Sequence, residues 1–428
     1  MKALLALAVA FLVLPPGASA ATDVYIGISP GQEAPKTALA LAKFLPERPD
    51  SPEDLAMAES FRDVVRADLM YSRYFDIKED PLSPANLDSS PESLAYWKAL
   101  AGQLITGKVE DTGTVWTFTA RLHDLNTGAV VDKFYRGEKR AMRRAAHIFS
   151  DEIIQRLTGH AGIAHSKLAF ANNSSGSKEI YLIDYDGENL TRLTSDNSIN
   201  LLPRWSQDAS KIYYTTYRWG NPDMFEIDLK AGKIRPFTTI QGLNIPGGLS
   251  PDGLTMVMTL SRGKDPNIYS LDVASRELTK LLKDFGVSSS PTWSPDGKQV
   301  AFVSDRSGNP QIYILDMATG NTRRLTRMNW CDSPSWSASG DGIVFSGRET
   351  PRESLNIFIT DLTGSQIRRL TDKAGSNEDP SWSPDGRFVA FTSTRRGRRE
   401  IFMMDADGSA PHPLVDLPGQ SYTPNWSP

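Results

Sequence analysis

From about residue 165 onward, apolar and polar positions recur with a period near 44 residues, and this rhythm decides the architecture. Its clearest copy runs Pro291-Thr292-Trp293-Ser294-Pro295-Asp296-Gly297, then Val300-Ala301-Phe302, then Gln311-Ile312-Tyr313-Ile314-Leu315-Asp316, then Arg324-Leu325-Thr326. The anchor position falls at Trp205, Leu249, Trp293, Trp336, Trp382 and Trp426, spaced by 44, 44, 43, 46 and 44 residues. Ser-Pro-Asp-Gly joins the fixed φ of proline to the positive φ that glycine tolerates, so it predicts a tight turn between a strand A ending at the anchor and a strand B after it. The Ile-Tyr and Arg-Leu-Thr runs predict strands C and D, and four short strands per unit are the pattern of a β-propeller blade.

Strand B occurs six times, at 168–170, 212–214, 256–258, 300–302, 343–345 and 389–391. Strand A also occurs six times, but the first B has no A before it and the last A, at 423–428, has no B after it. The C-terminal strand is therefore expected to complete the first blade and shut a six-bladed ring, leaving no raw sheet edge. An open solenoid is the alternative, and it would need capping repeats.

The chain ahead of the ring predicts a small α/β domain. Ser51-Pro52 is a helix start followed by one apolar face of Met57, Phe61, Val64, Val65 and Leu69. A second start at Ser90-Pro91 opens a helix through Trp97 and Leu100, strands are expected at 103–109, 115–122 and 129–135, and a helix over 140–157 stops at Gly159. The expected organisation is a mainly β chain: signal peptide 1–20, α/β domain 21–159 with an arm at 21–31, linker 160–166, and propeller 167–428.

The signal reading rests on Lys2, the apolar stretch 3–14 and the cleavage site Ala18-Ser19-Ala20. That stretch is shorter than the roughly 20 residues a bilayer span needs, so a soluble, exported, monomeric product is expected rather than a membrane-spanning one. Without Lys2, 46 basic residues face 51 acidic ones, a net charge near −5 that argues against nucleic acid. The lone Cys331 gives no internal disulfide, so burial must hold the fold.

Catalytic and metal chemistry find little support. Gly27-Ile28-Ser29-Pro30-Gly31 fits G-x-S-x-G, but no large α/β sheet surrounds it, and a turn ending a short strand is the better reading. The histidines His123, His147, His160, His165 and His412 lack metal-ligand spacing and read as surface or cap residues. Aspartates recur in every blade, as Asp252, Asp296 and Asp385 in the turn and Asp228, Asp272, Asp316 and Asp361 after strand C, which suits loop hydrogen bonding rather than a singular catalytic acid. No catalytic residue, metal or cofactor is expected. The basic run 395–399 is either a solvated loop or a contact for an acidic partner.

Binding is expected on one face. The D-to-A and B-to-C connections surround one mouth of the channel, and the D-to-A connections differ from blade to blade, as recognition requires. There Asn244, Ser290, Trp330, Asp332, Glu378, Asp379 and Tyr422 are expected to converge, and aromatics among carboxylates suit a protein loop carrying basic or amide groups.

The order of signal peptide, α/β domain and six Ser-Pro-Asp-Gly blades resembles the TolB family of periplasmic Tol-Pal proteins. The likeness is carried by Leu157-Thr158-Gly159 leading to Leu168-Ala169-Phe170, by Asp184-Tyr185-Asp186-Gly187 and by the terminal Trp426-Ser427-Pro428. It implies a non-catalytic scaffold that supports outer-membrane integrity and cell division, holding a Pal-like peptidoglycan-associated lipoprotein at the channel face. It also implies that Asp23, Val24, Tyr25, Ile26, Gly27 and Ile28 form an arm that binds a TolA-like inner-membrane protein by strand addition or folds back. Two features depart from the family pattern: the arm lacks an Asp-Ser-Gly-rich continuation, and Ser288-Ser289-Ser290 stand where an acidic residue is anticipated. The alternatives are a secreted propeller-type hydrolase or lyase acting in the channel, and a carbohydrate-binding propeller.

Overall fold

The computed structural model describes residues 36–80, 91–262, 265–283 and 286–428. The signal segment and the arm, including Asp23 to Ile28, lie outside the described residues, as does Ser90.

Ser51 caps α1 (Pro52–Tyr71) by accepting a hydrogen bond from the Asp54 amide, and proline follows it where no N–H is needed. α1 and α3 (Met142–Thr158) bury Phe61, Val65, Leu69, Phe149 and Ile153 against one face of a sheet. The sheet runs β3 (Phe75–Lys78), β1 (Thr37–Leu41), β4 (Gln103–Asp111), β5 (Val115–Asp124), β6 (Val130–Glu138), with β2 (Leu45–Pro46) beside β4. α2 (Pro91–Lys98) brings Trp97 onto the opposite face, against Ala40, Ala42 and Leu104. It ends before Leu100, which is exposed. Gly159, at φ 77°, stops α3 in the left-handed region.

Six four-stranded antiparallel sheets follow, so the chain is mainly β with a six-bladed propeller behind a small α/β region. In blade one, Lys167–Asn172, Glu179–Asp184 and Thr191–Arg192 are joined on the inner edge by Ser421–Trp426. That closing strand begins two residues before Thr423 and pairs Ser421 with Asn172 and Trp426 with Leu168. The Trp426 indole donates to Ser166 Oγ at 2.7 Å, and the Lys167 amide donates to Ser427 Oγ at 3.0 Å.

The innermost strand of every blade carries a bulge. In five of them the third residue of the repeat, Leu202, Ser290, Ser333, Asp379 or Thr423, sits at φ between 49° and 56°. The bulge turns the amide out of its own sheet toward the neighbouring blade: Asp379 donates to Ser346 Oγ (3.0 Å), Thr423 to Thr392 Oγ1 (3.2 Å) and Ser290 to Thr259 Oγ1 (3.2 Å). Blade three has Pro246 at this position, whose ring forbids a positive φ, and the irregularity moves to Gly248 at φ 147°.

The α/β region sits on the A-to-B and C-to-D side of blades one and six. Tyr71 packs on Phe388 and Tyr185 with ring centroids 4.8 and 5.3 Å apart, and the Arg387 guanidinium lies 3.9 Å over the Tyr74 ring. Arg143 pairs with Asp186, and Arg73 with Asp405 at 3.5 Å. These contacts all lie on the side opposite the D-to-A and B-to-C connections.

Candidate functional site

All seven residues expected at the channel mouth, Asn244 included, lie on the innermost strands rather than in loops, because each strand starts ahead of its bulge. Ser290 is in Ser288–Trp293, Trp330 and Asp332 in Trp330–Trp336, Glu378 and Asp379 in Asn377–Trp382, and Tyr422 in the closing strand. The structure links several of them in a continuous arc across blades four, five, six and one. Ser290 Oγ donates to Asp332 at 3.4 Å and Ser333 Oγ to Asp379 at 3.0 Å. Arg399 donates to Glu378 at 2.8 Å and stands 5.7 Å over the Tyr422 ring, while the Lys178 ammonium is 4.3 Å from its centroid.

Asn244 is a correction. It is fully buried, and its amide nitrogen donates to the carbonyls of Pro222, Ile240 and Gly242. Asn200 and Asn377 occupy the same place in blades two and six and are equally buried, so these residues brace the D-to-A connections from beneath. Cys331 takes that place in blade five, where burial pushes its thiol up to about 12 and leaves it unreactive. Trp330 stands outside the arc, half-buried, with Arg348 5.5 Å over its ring.

The mouth is electrostatically uneven. Asp379 is only partly exposed, and burial by the surrounding strands pushes its carboxyl up to about 6; the Ser333 hydrogen bond opposes this, and the charges of Glu378 and Asp332 add to it. Burial raises Asp332 as well, against hydrogen bonds from the Ser333 amide and Ser290. For Glu378 burial acts in the same direction, but hydrogen bonds from Arg399 and Ser376 outweigh it and hold the carboxyl below its usual range. Arg204 of blade two is close enough to stabilise the Asp379 charge from across the ring.

Two features escaped the sequence reading. Ile199, Tyr217 and Trp219 form an exposed apolar ledge on blade two at the same face, with Trp219 60% exposed. Tyr217 and Trp219 lie in the B-to-C connection, where the string Tyr-Arg-Trp-Gly was the available signal. The basic run 395–399 is no free patch: Arg396 and Arg398 pair with Glu400 and Asp416, Arg399 with Glu378, and Arg395 stacks on Phe402 at 4.5 Å.

Two histidines read as surface or cap residues are buried. His123 lies 3.0 Å from Thr106 Oγ1, and His147 lies between the α/β region and blade one. Among the described residues one trio, His147, Asp184 and Asp186, has the proximity a metal would need. Lys167 pairs with Asp184 and Arg143 with Asp186, so both carboxylates of the trio are already engaged by cations of the chain.

Comparison with known proteins agrees with this architecture. The family model described as the TolB beta propeller domain matches residues 154–428. The Tol-Pal system protein TolB of Geobacter sulfurreducens is 36% identical over 178 residues, 41% of each chain. The TolB homolog of Chlorobium chlorochromatii is 35% identical over 213 residues, 48% of this chain and 47% of that one. The chain thus spans less than half the length of the curated relatives it matches. The crystal structure of TolB from Acinetobacter baumannii superposes with a TM-score of 0.77 at 26% identity, covering 92% of this chain and 98% of that one. A propeller closed by its own last strand, with an α/β region on one face and a match over all six blades, places this chain in the TolB β-propeller family.

Proposed function

We propose that this chain is a periplasmic scaffold of the Tol-Pal system, which binds partner proteins and does no chemistry of its own. The reading is supported by the names of its relatives, Tol-Pal system proteins, and by the character of the mouth. The observation that carries it is the arc of Asp332, Asp379, Glu378 and Tyr422 on the propeller face opposite the α/β region. Its carboxylates are held by serines and arginine in fixed orientations, which suits reading a protein loop with basic or amide groups. In this role a Pal-like lipoprotein docks on the mouth, with the Ile199, Tyr217 and Trp219 ledge as an apolar flank. Residues 1–20 export the chain, and the arm 21–31, with Asp23, Val24, Tyr25, Ile26, Gly27 and Ile28, binds a TolA-like inner-membrane protein. The complex serves outer-membrane integrity and cell division.

The test is calorimetric titration of the soluble wall-binding domain of a Pal-like lipoprotein into the protein. Asp379→Asn, which keeps a side chain suited to positive φ, and Tyr422→Ala are each expected to weaken binding at least about tenfold, or about 1.4 kcal/mol. Lys298→Ala, in the A-to-B turn of blade four and 80% exposed, is expected to leave it unchanged. Equal affinity for all three variants and the parent would reject the mouth as the docking surface.

A further inference from the structure

The contact between the α/β region and the propeller contains a buried histidine that the proposed scaffold role does not use. His147, on α3, has its side chain 2% exposed. Its Nδ1 lies 3.0 and 2.9 Å from the two oxygens of Asp68 on α1. The same carboxylate accepts a 2.6 Å hydrogen bond from the Tyr185 hydroxyl, on the C-to-D link of blade one. The other ring nitrogen, Nε2, is buried without a hydrogen-bond partner and faces Asp186 Oδ2 of that link at 3.5 Å. A carboxylate only accepts hydrogen bonds, so a ring set between two carboxylates is satisfied at both nitrogens only as imidazolium.

We infer that His147 is a proton-operated tie: with both ring nitrogens protonated it bridges Asp68 of the α/β region to Asp186 of the propeller, and on losing a proton it releases one of them. The neutral ring keeps a single N–H. With that hydrogen on Nδ1 it still serves Asp68, but Nε2 then turns a lone pair on the Asp186 carboxylate. The tie spans the two parts of the molecule, so its release loosens their docking while leaving each interior core intact.

Every charged or titratable group packed around the ring bears on this. Burial alone would lower the basicity of His147, but the hydrogen bond and charge of Asp68 outweigh it, Asp186 adds to the rise and Arg143 on α3 subtracts. Burial pushes Asp68 up as well, opposed by the hydrogen bond and charge of His147 and by the Tyr185 hydroxyl; with the His147 Nδ1–H and the Tyr185 hydroxyl both donating to it, the carboxylate is the form the geometry holds. Tyr185 is raised by burial and by Asp68, so it stays a neutral donor. Asp184 and Lys167 pair with each other behind Asp186. Because the folded-state basicity of His147 exceeds its ordinary 6.5, the stabilisation is complete below that pH and is lost as pH rises through the folded value.

The experiment uses the full mature protein. In a magnetic-resonance titration the His147 ring is expected to change protonation above its ordinary 6.5. Over the same range, hydrogen–deuterium exchange corrected for intrinsic rate is expected to show falling protection at 184–188. His147→Gln, which can donate but cannot titrate, should flatten that dependence, whereas Tyr185→Phe should retain it. A ring midpoint at or below the ordinary value overturns the inference, and so does an exchange profile in His147→Gln with the same pH dependence as the parent. Should the Gln variant fail to fold, the ring midpoint and the exchange profile of the unaltered protein decide. None of these readings involves a partner, so they stand or fall separately from the proposed scaffold role.

Discussion

Replacing Trp426 by alanine tests whether the last strand holds the ring. The side chain is 4% exposed and packs with Leu168, Phe170, Ile183 and Phe388, so it draws blade one, the closing strand and blade six into one cluster. Burying an aromatic of this size removes about 200 Å² from water, worth about 5 kcal/mol at 25 cal/mol per Å² as an upper bound. Costs of about 3–5 kcal/mol for Trp→Ala changes in protein cores agree, and here the indole hydrogen bond to Ser166 Oγ is lost as well. We take about 4 kcal/mol, which for a domain of this size lowers the melting temperature by about 8 °C. Trp293 supplies the internal comparison. It holds the same repeat position in blade four, is only partly buried and leaves its indole N–H without a partner. Trp293→Ala should therefore cost about half as much, or about 4 °C. Differential scanning calorimetry of the two variants measures both shifts. A Trp426→Ala shift no larger than that of Trp293→Ala would refute the idea that closure rests on this side chain.

Two further outcomes follow from close contacts. A Cβ on Gly247 would lie 2.5 Å from both Pro291 Cγ and its carbonyl oxygen and 2.8 Å from the Val257 oxygen, so Gly247→Ala should destabilise the propeller by about 1–3 kcal/mol, read as a lower urea midpoint. The fully buried Asp54 accepts hydrogen bonds from Arg48 and from the Asp111 amide, and the Arg48 hydrogen bond, against the opposing cost of burial, holds its carboxyl well below the usual range. Its stabilisation is therefore present above pH 3.8 and lost as pH falls below it. Asp54→Asn should lower the melting temperature at pH 7 and narrow the gap to the parent in strong acid, followed by circular dichroism; an equal gap at both pH values would count against that role.

What the sequence made legible was what repeats. A period near 44 residues with a Trp anchor and Ser-Pro-Asp-Gly turn specified six blades, because each element has a local cause in turn chemistry or alternation. β1 and β3 were missed because Thr37–Leu41 and Phe75–Lys78 are short and lack turn signals on both flanks, and their strand character comes from parallel pairing with each other and with β4. The bulges were hidden for a similar reason: a left-handed φ at Leu202 or Thr423 is imposed by neighbouring blades and not by residue type. Mouth residues were therefore assigned to loops although all seven lie on strands. His147 and the arginines at 396, 398 and 399 show the same limit, since a charged side chain in a sequence discloses nothing about the carboxylate that the fold brings to it.

The splice between the two ends of the propeller also sets an order of events during synthesis. The inner edge of blade one, 168–172, is made some 250 residues before its partner strand, so a growing chain carries that edge unpaired until Trp426 has emerged. A ribosome stalled anywhere in blades two to six would therefore present an arc with an exposed apolar seam, open to pairing with a neighbouring nascent chain.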